Sequence, residues 1–158
     1  MQNYYLMNNS FKIAYKESCA SFLQAMDGLE KSFIHCTKIG VKDQYLFEET
    51  EAFDALIIKL TRNTDVFFQQ ILKGFFKLKG EDNLFFIDRL NLLEKMEIID
   101  DTEKLIELKS FRNQAVHEYS HLQFQLLYQE AWQLTPILQQ SAKSFFNYLH
   151  ESKFLLTE

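Results

Sequence analysis

The sequence contains little of what many-stranded folds and common cofactor sites require. Its 158 residues include only 4 glycines and 1 proline, which is too few turn-forming residues for a fold of many short strands. No Gly-x-Gly or Gly-Lys-Ser/Thr sequence occurs, so the usual glycine-rich phosphate loops are excluded. Cys19 and Cys36 form no C-x-x-C pair, and we expect two reduced thiols.

Signals for export, membrane insertion and metal binding are also absent. The first six residues lack the basic start and apolar run of a signal peptide. No uncharged apolar run approaches the roughly 20 residues of a membrane span. We therefore expect a soluble, cytoplasmic protein. His117 and His121 are four residues apart, but no third ligand is evident, so we predict neither a metal nor a cofactor.

The composition indicates one folded domain. Hydrophobic residues make up 47% of the chain, and 16 residues are Phe, which excludes a disordered protein. The net charge of −5 argues against broad, nonspecific binding of nucleic acid. Residues 59–79 nevertheless carry five basic side chains against one acidic side chain. This segment is either a local basic surface or an ordinary solvated face.

The spacing of apolar residues predicts an all-α, up-and-down bundle of about five to six helices. The first two helices are expected to be long and antiparallel. One begins at Ser10 and ends at Gly40, and the other covers about 53–78 and ends at Gly80. The remaining helices are predicted to begin at the positions that follow: Asp82 or Asn83, Asp101 or Thr102, about residue 122, and a restart at Thr135-Pro136. The domain is thus residues 10–149, with tails at 1–9 and 150–158.

The segment 108–119 is the most informative in the chain. On a helix, at about 100° per residue, its apolar residues form one stripe, and Arg112 and Tyr119 fall within that stripe. An arginine in such a stripe must be paired, because it cannot lose its charge. It could be answered by an acid such as Asp65, or it could face a ligand.

Arg112 and His117 together suit RNA cleavage without a metal. Histidine can exchange a proton with a 2′-hydroxyl or a departing 5′-oxygen near neutral pH, and arginine can stabilise charge on the phosphate. However, five residues correspond to about 140° on an ideal helix. The two side chains would converge only if the helix ended or loosened near His117, or if a second copy completed the site. The alternative is a surface histidine and a salt-bridged arginine.

The motif from Arg112 to Tyr119 resembles that of the HEPN superfamily, in particular the HepT-type toxins of HEPN–MNT toxin–antitoxin pairs. Their signature is Arg, a polar residue, three more residues, His, any residue and Tyr. The segments Phe86–Leu90 and Met96–Asp100 before the motif, and Leu134–Leu138 after it, are similar as well. The resemblance covers about residues 10–149.

The resemblance implies a homodimeric, metal-independent endoribonuclease whose two Arg/His pairs line one cleft. Arg112 would bind phosphate, His117 would act as general acid and base, and Asn113 would orient the motif or the RNA. Tyr119 would be the tyrosine that an MNT nucleotidyltransferase antitoxin modifies with AMP. Two other functions stay open at this point: a non-catalytic accessory module that binds a nucleotidyltransferase or a nucleotide, and a helical dimerisation protein.

Overall fold

The computed structural model describes residues 2–117 and 124–155, with side chains for 9–117 and 126–155, and this part of the chain is all-α. The helices are α1 (Gln2–Ile39), α2 (Phe47–Val66), α3 (Lys73–Leu78), α4 (Phe86–Lys95), α5 (Thr102–His117) and α6 (Phe124–Glu151), and a π-helical turn over Phe67–Leu72, the π segment, joins α2 to α3. The predicted all-α bundle is therefore confirmed. No helix in the described ranges is both long and apolar enough to cross a membrane.

Helix α1 packs along the continuous rod formed by α2, the π segment and α3. Three hydrogen bonds mark this packing. Lys59 donates to Ser32 Oγ, Asn63 to the Ala25 carbonyl, and Tyr15 to the Ile71 carbonyl. Residue numbers rise along one helix as they fall along the other, which is the order of two helices that run in opposite directions.

Both predicted glycine stops are confirmed. Gly40 and Gly80 have φ values of 79° and 77°, in the left-handed region that only glycine adopts without strain. Each follows the last turn of its helix, and the Gly40 N–H donates to the Cys36 carbonyl at 2.9 Å. Asp101 also caps α5 as expected, because its Oδ1 accepts a hydrogen bond from the Lys104 N–H at 3.1 Å.

Two predicted helix starts are wrong. Helix α1 begins at Gln2, so Ser10 lies inside it. Residues 2–9 contain no glycine or proline that would stop the helix from extending to the first residues. Helix α4 begins at Phe86, after an extended Phe85, and neither Asp82 nor Asn83 caps it.

The predicted restart at Thr135-Pro136 is also wrong, because α6 is one helix with Pro136 inside it. A proline within a helix removes one backbone hydrogen bond and usually bends the helix. The helix continues because the residues on both sides of Pro136 bury one face in the same core, from Leu127 and Ala131 to Leu138 and Phe145.

At least one residue of the predicted C-terminal tail, Phe154, packs against the rest of the protein. Beyond α6 the chain turns, and the Phe154 N–H donates to the Leu149 carbonyl. The Phe154 ring lies 4.9 Å from the ring of Phe75, centroid to centroid. This contact places a residue of the predicted tail against the core.

The π segment has a cause in the apolar pattern. Three pairs of buried residues follow each other at intervals of four: Phe67 and Phe68, Ile71 and Leu72, and Phe75 and Phe76. In an α-helix a four-residue repeat drifts by about 40° per turn. A π turn, with i→i+5 hydrogen bonds, takes in roughly one more residue and keeps all three pairs in the core.

Candidate functional site

Helix α5 presents the predicted motif along one edge of the bundle. Its N-terminal part is anchored by Leu105, Leu108 and Phe111, which are at most 1% exposed. Val116, which the sequence placed in the same stripe, is 43% exposed. The buried stripe therefore ends before the C-terminal turn of α5, and the motif residues lie at or outside its border.

Arg112 is answered by Asp65, the acid named as its alternative partner. Arg112 Nη2 donates to Asp65 Oδ2 at 2.7 Å, and Nε lies 2.7 Å from Oδ1. Nε is buried, and its N–H points away from the line to Oδ1, so this second contact is a close ion pair without a well-directed hydrogen bond. The two side chains remain 31% and 44% exposed, and a pair this open to water contributes only about 0–1 kcal/mol.

Asn113 is the second side chain that bonds to Arg112. It is exposed, and its Oδ1 accepts a hydrogen bond from Arg112 Nη1 at 3.1 Å. Two of the five guanidinium N–H groups, one on each Nη atom, thus have no partner among the residues with described side chains. Asp65 and Asn113 fix the orientation of Arg112 and leave it able to bind an anion.

His117 is exposed at the end of α5, and it is not among the residues that line the groove at Arg112. Helix α5 stays α-helical from Thr102 through His117, so it does not loosen between the two motif residues. The divergence of about 140° therefore stands within one chain. Tyr119, like Glu118 and His121, lies outside the described residues.

A groove of about 320 Å³ opens beside Arg112, between α5 and the end of α2 with the π segment. Seven of its nine lining residues are polar or charged, although more of the lining surface is apolar than polar: Thr64, Asp65, Val66, Phe68, Gln69, Gln70, Lys109, Arg112 and Asn113. Lys109 Nζ lies 3.9 Å from the centroid of the Phe86 ring, a cation–π contact with a residue outside the groove lining. The groove thus combines two cations, one carboxylate and several neutral hydrogen-bonding groups.

Sequence reasoning missed most of this lining. Lys109 could have been found, because it precedes Arg112 by three residues and such residues are neighbours on a helix. Gln70 could not be assigned to the same surface as Arg112, because its direction depends on the π segment, whereas Gln69 would lie about 40° from Asp65 even on a regular α-helix. Among the described side chains, no group of three or more His, Cys, Asp or Glu residues could hold a metal ion.

Comparisons with known protein families, with curated proteins and with solved structures found no match to this chain.

Proposed function

We propose that the protein is a metal-independent endoribonuclease of the HEPN type, with Arg112 as the phosphate-binding residue and His117 as the general acid and base. The observation that carries this proposal is the placement of the motif. Arg112 and Asn113 lie at a polar groove, and His117 stands exposed one and a half turns further along the same helix. Asn113 orients the guanidinium group.

The divergence of Arg112 and His117 leads to a two-chain site. Since α5 is regular through His117, one chain cannot direct both side chains at the same phosphate. A two-fold homodimer solves this, because Arg112 of one protomer can then face the partner's His117, and symmetry repeats the arrangement. We therefore propose that the active form is a homodimer with the sites in the cleft between the protomers.

The chemistry follows from the two side chains. The neutral imidazole of His117 takes the proton of the ribose 2′-hydroxyl, and the resulting oxygen attacks the adjacent phosphorus. The bond to the 5′-oxygen breaks as the His117 imidazolium formed in this way delivers that proton to the departing oxygen. The products are a 2′,3′-cyclic phosphate and a 5′-hydroxyl. Arg112 stabilises the additional negative charge on the phosphoryl oxygens during the transfer.

The ion pair with Asp65 does not prevent this role. A partly exposed pair contributes about 0–1 kcal/mol, whereas a charge-assisted bond from arginine to phosphate is roughly twice as strong as a neutral hydrogen bond. The two Nη N–H groups of Arg112 that have no partner can also donate hydrogen bonds to a phosphate while Asp65 stays in place. Asp65 then acts as a positioning residue.

Regulation by a nucleotidyltransferase antitoxin belongs to the same proposal. Tyr119 lies two residues beyond His117 in the sequence. Transfer of AMP from ATP to its hydroxyl, with release of pyrophosphate, would add a bulky, negatively charged group two residues from the proposed general acid and base. Such a group would exclude RNA by charge and by volume.

The first test is cleavage of a single-stranded RNA in EDTA, with the 2′,3′-cyclic phosphate identified by mass spectrometry. Arg112→Ala and His117→Ala should each reduce the rate by at least about 100-fold, which is the usual contribution of a general acid–base or of an oxyanion-stabilising group. His35→Ala, which removes another exposed histidine from α1, is the matched control and should retain activity. Cleavage at the wild-type rate by His117→Ala would refute the assignment.

A mixing experiment tests the two-chain site. Arg112→Ala and His117→Ala are each inactive alone, but a mixed dimer contains one site with both wild-type side chains. After unfolding and joint refolding, random pairing should restore about a quarter of the wild-type activity. If the mixture stays as inactive as its components while mixed dimers are present, the site is not shared between chains.

The main alternative is a non-catalytic module that binds a nucleotidyltransferase or a nucleotide through the polar groove beside Arg112. The ion pair of Arg112 with Asp65 instead fits the other alternative, a helical dimerisation protein in which Arg112 is only salt-bridged. The non-catalytic module predicts no RNA cleavage by the wild-type protein and a stable complex with a nucleotidyltransferase in size-exclusion chromatography.

A further inference from the structure

The groove beside Arg112 has the size of a site for one nucleotide. Its volume of about 320 Å³ lies at the lower end of the range for small-molecule sites, about 300–1,000 Å³. Lys109 and Arg112 supply positive charge on its α5 side, and Gln69 and Gln70 supply neutral amides from the π segment. An anionic group and a polar, uncharged group can therefore be bound together.

The π segment is the reason that both glutamines reach this groove. In a regular α-helix Gln69 would lie about 40° from Asp65 around the axis, but Gln70 would lie about 140° away. The wider π turn advances less per residue, so Gln70 is rotated back towards the side of Asp65. Both amides are exposed, and the structure gives neither of them a hydrogen-bond partner among the described side chains.

We propose that this groove is a nucleobase-discriminating subsite that binds one ribonucleotide, with the phosphate on Arg112 and Lys109 and the edge of the base on Gln69 and Gln70. Single-stranded RNA exposes base edges to such contacts, and a glutamine amide, which is both donor and acceptor, can distinguish them. The inference rests on the proposed function for the identity of its ligand as RNA. It adds that cleavage has a base preference and names the residues that set it.

The test measures binding of the four ribonucleoside 5′-monophosphates and of inorganic phosphate by titration calorimetry. Wild-type protein should bind one nucleotide at least about fivefold more tightly than the weakest, a difference that one good amide–base contact provides. The Gln69→Ala/Gln70→Ala double variant should reduce this spread below about twofold and leave phosphate affinity unchanged. Arg112→Ala should weaken all five ligands alike. Gln133→Ala, an exposed glutamine of α6, should behave as wild type.

Equal affinities for the four nucleotides in the wild type, or an unchanged spread in the double variant, would overturn the subsite. Circular dichroism of the double variant keeps a folding defect separate from lost binding. The result is also separable from that of the cleavage assay. RNA cleavage that requires Arg112 and His117 but shows no base discrimination refutes the subsite alone. Discrimination that depends on Gln69 and Gln70, without any RNA cleavage, refutes the ribonuclease alone.

Discussion

Gly74 tests the packing of α1 against the π segment and α3. Alanine has the higher helix propensity, yet substituting Gly74 with alanine should lower the stability of the protein. A Cβ at Gly74 would lie 2.6 Å from Cδ2 and 2.7 Å from Cε2 of Tyr15. The Tyr15 ring is buried, and its hydroxyl donates to the Ile71 carbonyl of the π segment at 2.8 Å. Alanine at this position must therefore displace the ring or the helix that carries Gly74.

The magnitude follows from three contributions. Helix propensity favours alanine over glycine by about 1 kcal/mol. Overpacking in a core costs about 1–3 kcal/mol, and a lost hydrogen bond that leaves a buried carbonyl unpaired costs about 1–3 kcal/mol. The net effect of Gly74→Ala is a destabilisation of about 1–5 kcal/mol, which lowers Tm by roughly 2–4 °C per kcal/mol in a chain of this length.

Gly28→Ala is the matched control. Gly28 also lies inside a long helix, and nothing lies within 4 Å of a Cβ added to it. This variant should be stabilised by up to about 1 kcal/mol. Thermal unfolding followed by circular dichroism should thus move Tm in opposite directions for the two variants. A Gly74→Ala protein as stable as wild type would refute the packing argument, whereas a penalty that shrinks in the Tyr15→Leu background would support it.

Two further predictions concern other parts of the fold. Burial raises the pKa of the Cys19 and Cys36 thiols from 9.0 to about 11, so folding favours their neutral form. Their contribution to stability is present below pH 9 and is lost as the pH rises towards 11. We expect the thiols of the native protein to react slowly with a disulfide reagent at pH 8, and a rate equal to that in denaturant would contradict this. Pro136→Ala should raise the free energy of unfolding by about 1–3 kcal/mol in urea titrations, because alanine supplies the N–H that α6 lacks at this exposed position. An unchanged or lower free energy of unfolding would show that the helix is already adapted to proline.

The sequence predicted some features of the fold that depend on local chemistry, but not the starts of α1 and α4. The ends at Gly40 and Gly80 follow from the low cost of positive φ in glycine, and the cap at Asp101 follows from a side-chain acceptor placed before an exposed N–H. The predicted restart at Pro136 is wrong because local helix propensity takes no account of packing in the core. The face that runs from Leu127 to Phe145 keeps α6 continuous despite the proline.

Only part of the groove beside Arg112 could be predicted from the sequence. Asp65 could be named as a partner of Arg112, since an arginine in an apolar stripe must be answered by an acid. The direction of Gln70 could not, because it depends on a change in helical pitch. The four-residue repeat of Phe67, Ile71 and Phe75 is the one sequence signal of that change, and three residues also fit an ordinary helical stripe over so short a length.

The sequence left two possibilities for Arg112, an ion pair with an acid or contact with a ligand, and the two are compatible. Its pair with Asp65 satisfies the charge at the border of the core, and the exposure of that pair keeps it too weak to exclude a phosphate. Asn113 holds Nη1 from the other side, so the guanidinium orientation is fixed before any ligand arrives, which lowers the entropy lost on binding. In the proposed ribonuclease, Asp65 should then support RNA cleavage even though it is an acid beside the proposed phosphate site. A guanidinium held in this way does not turn towards the histidine of its own helix, which is why the proposal places the site between two protomers.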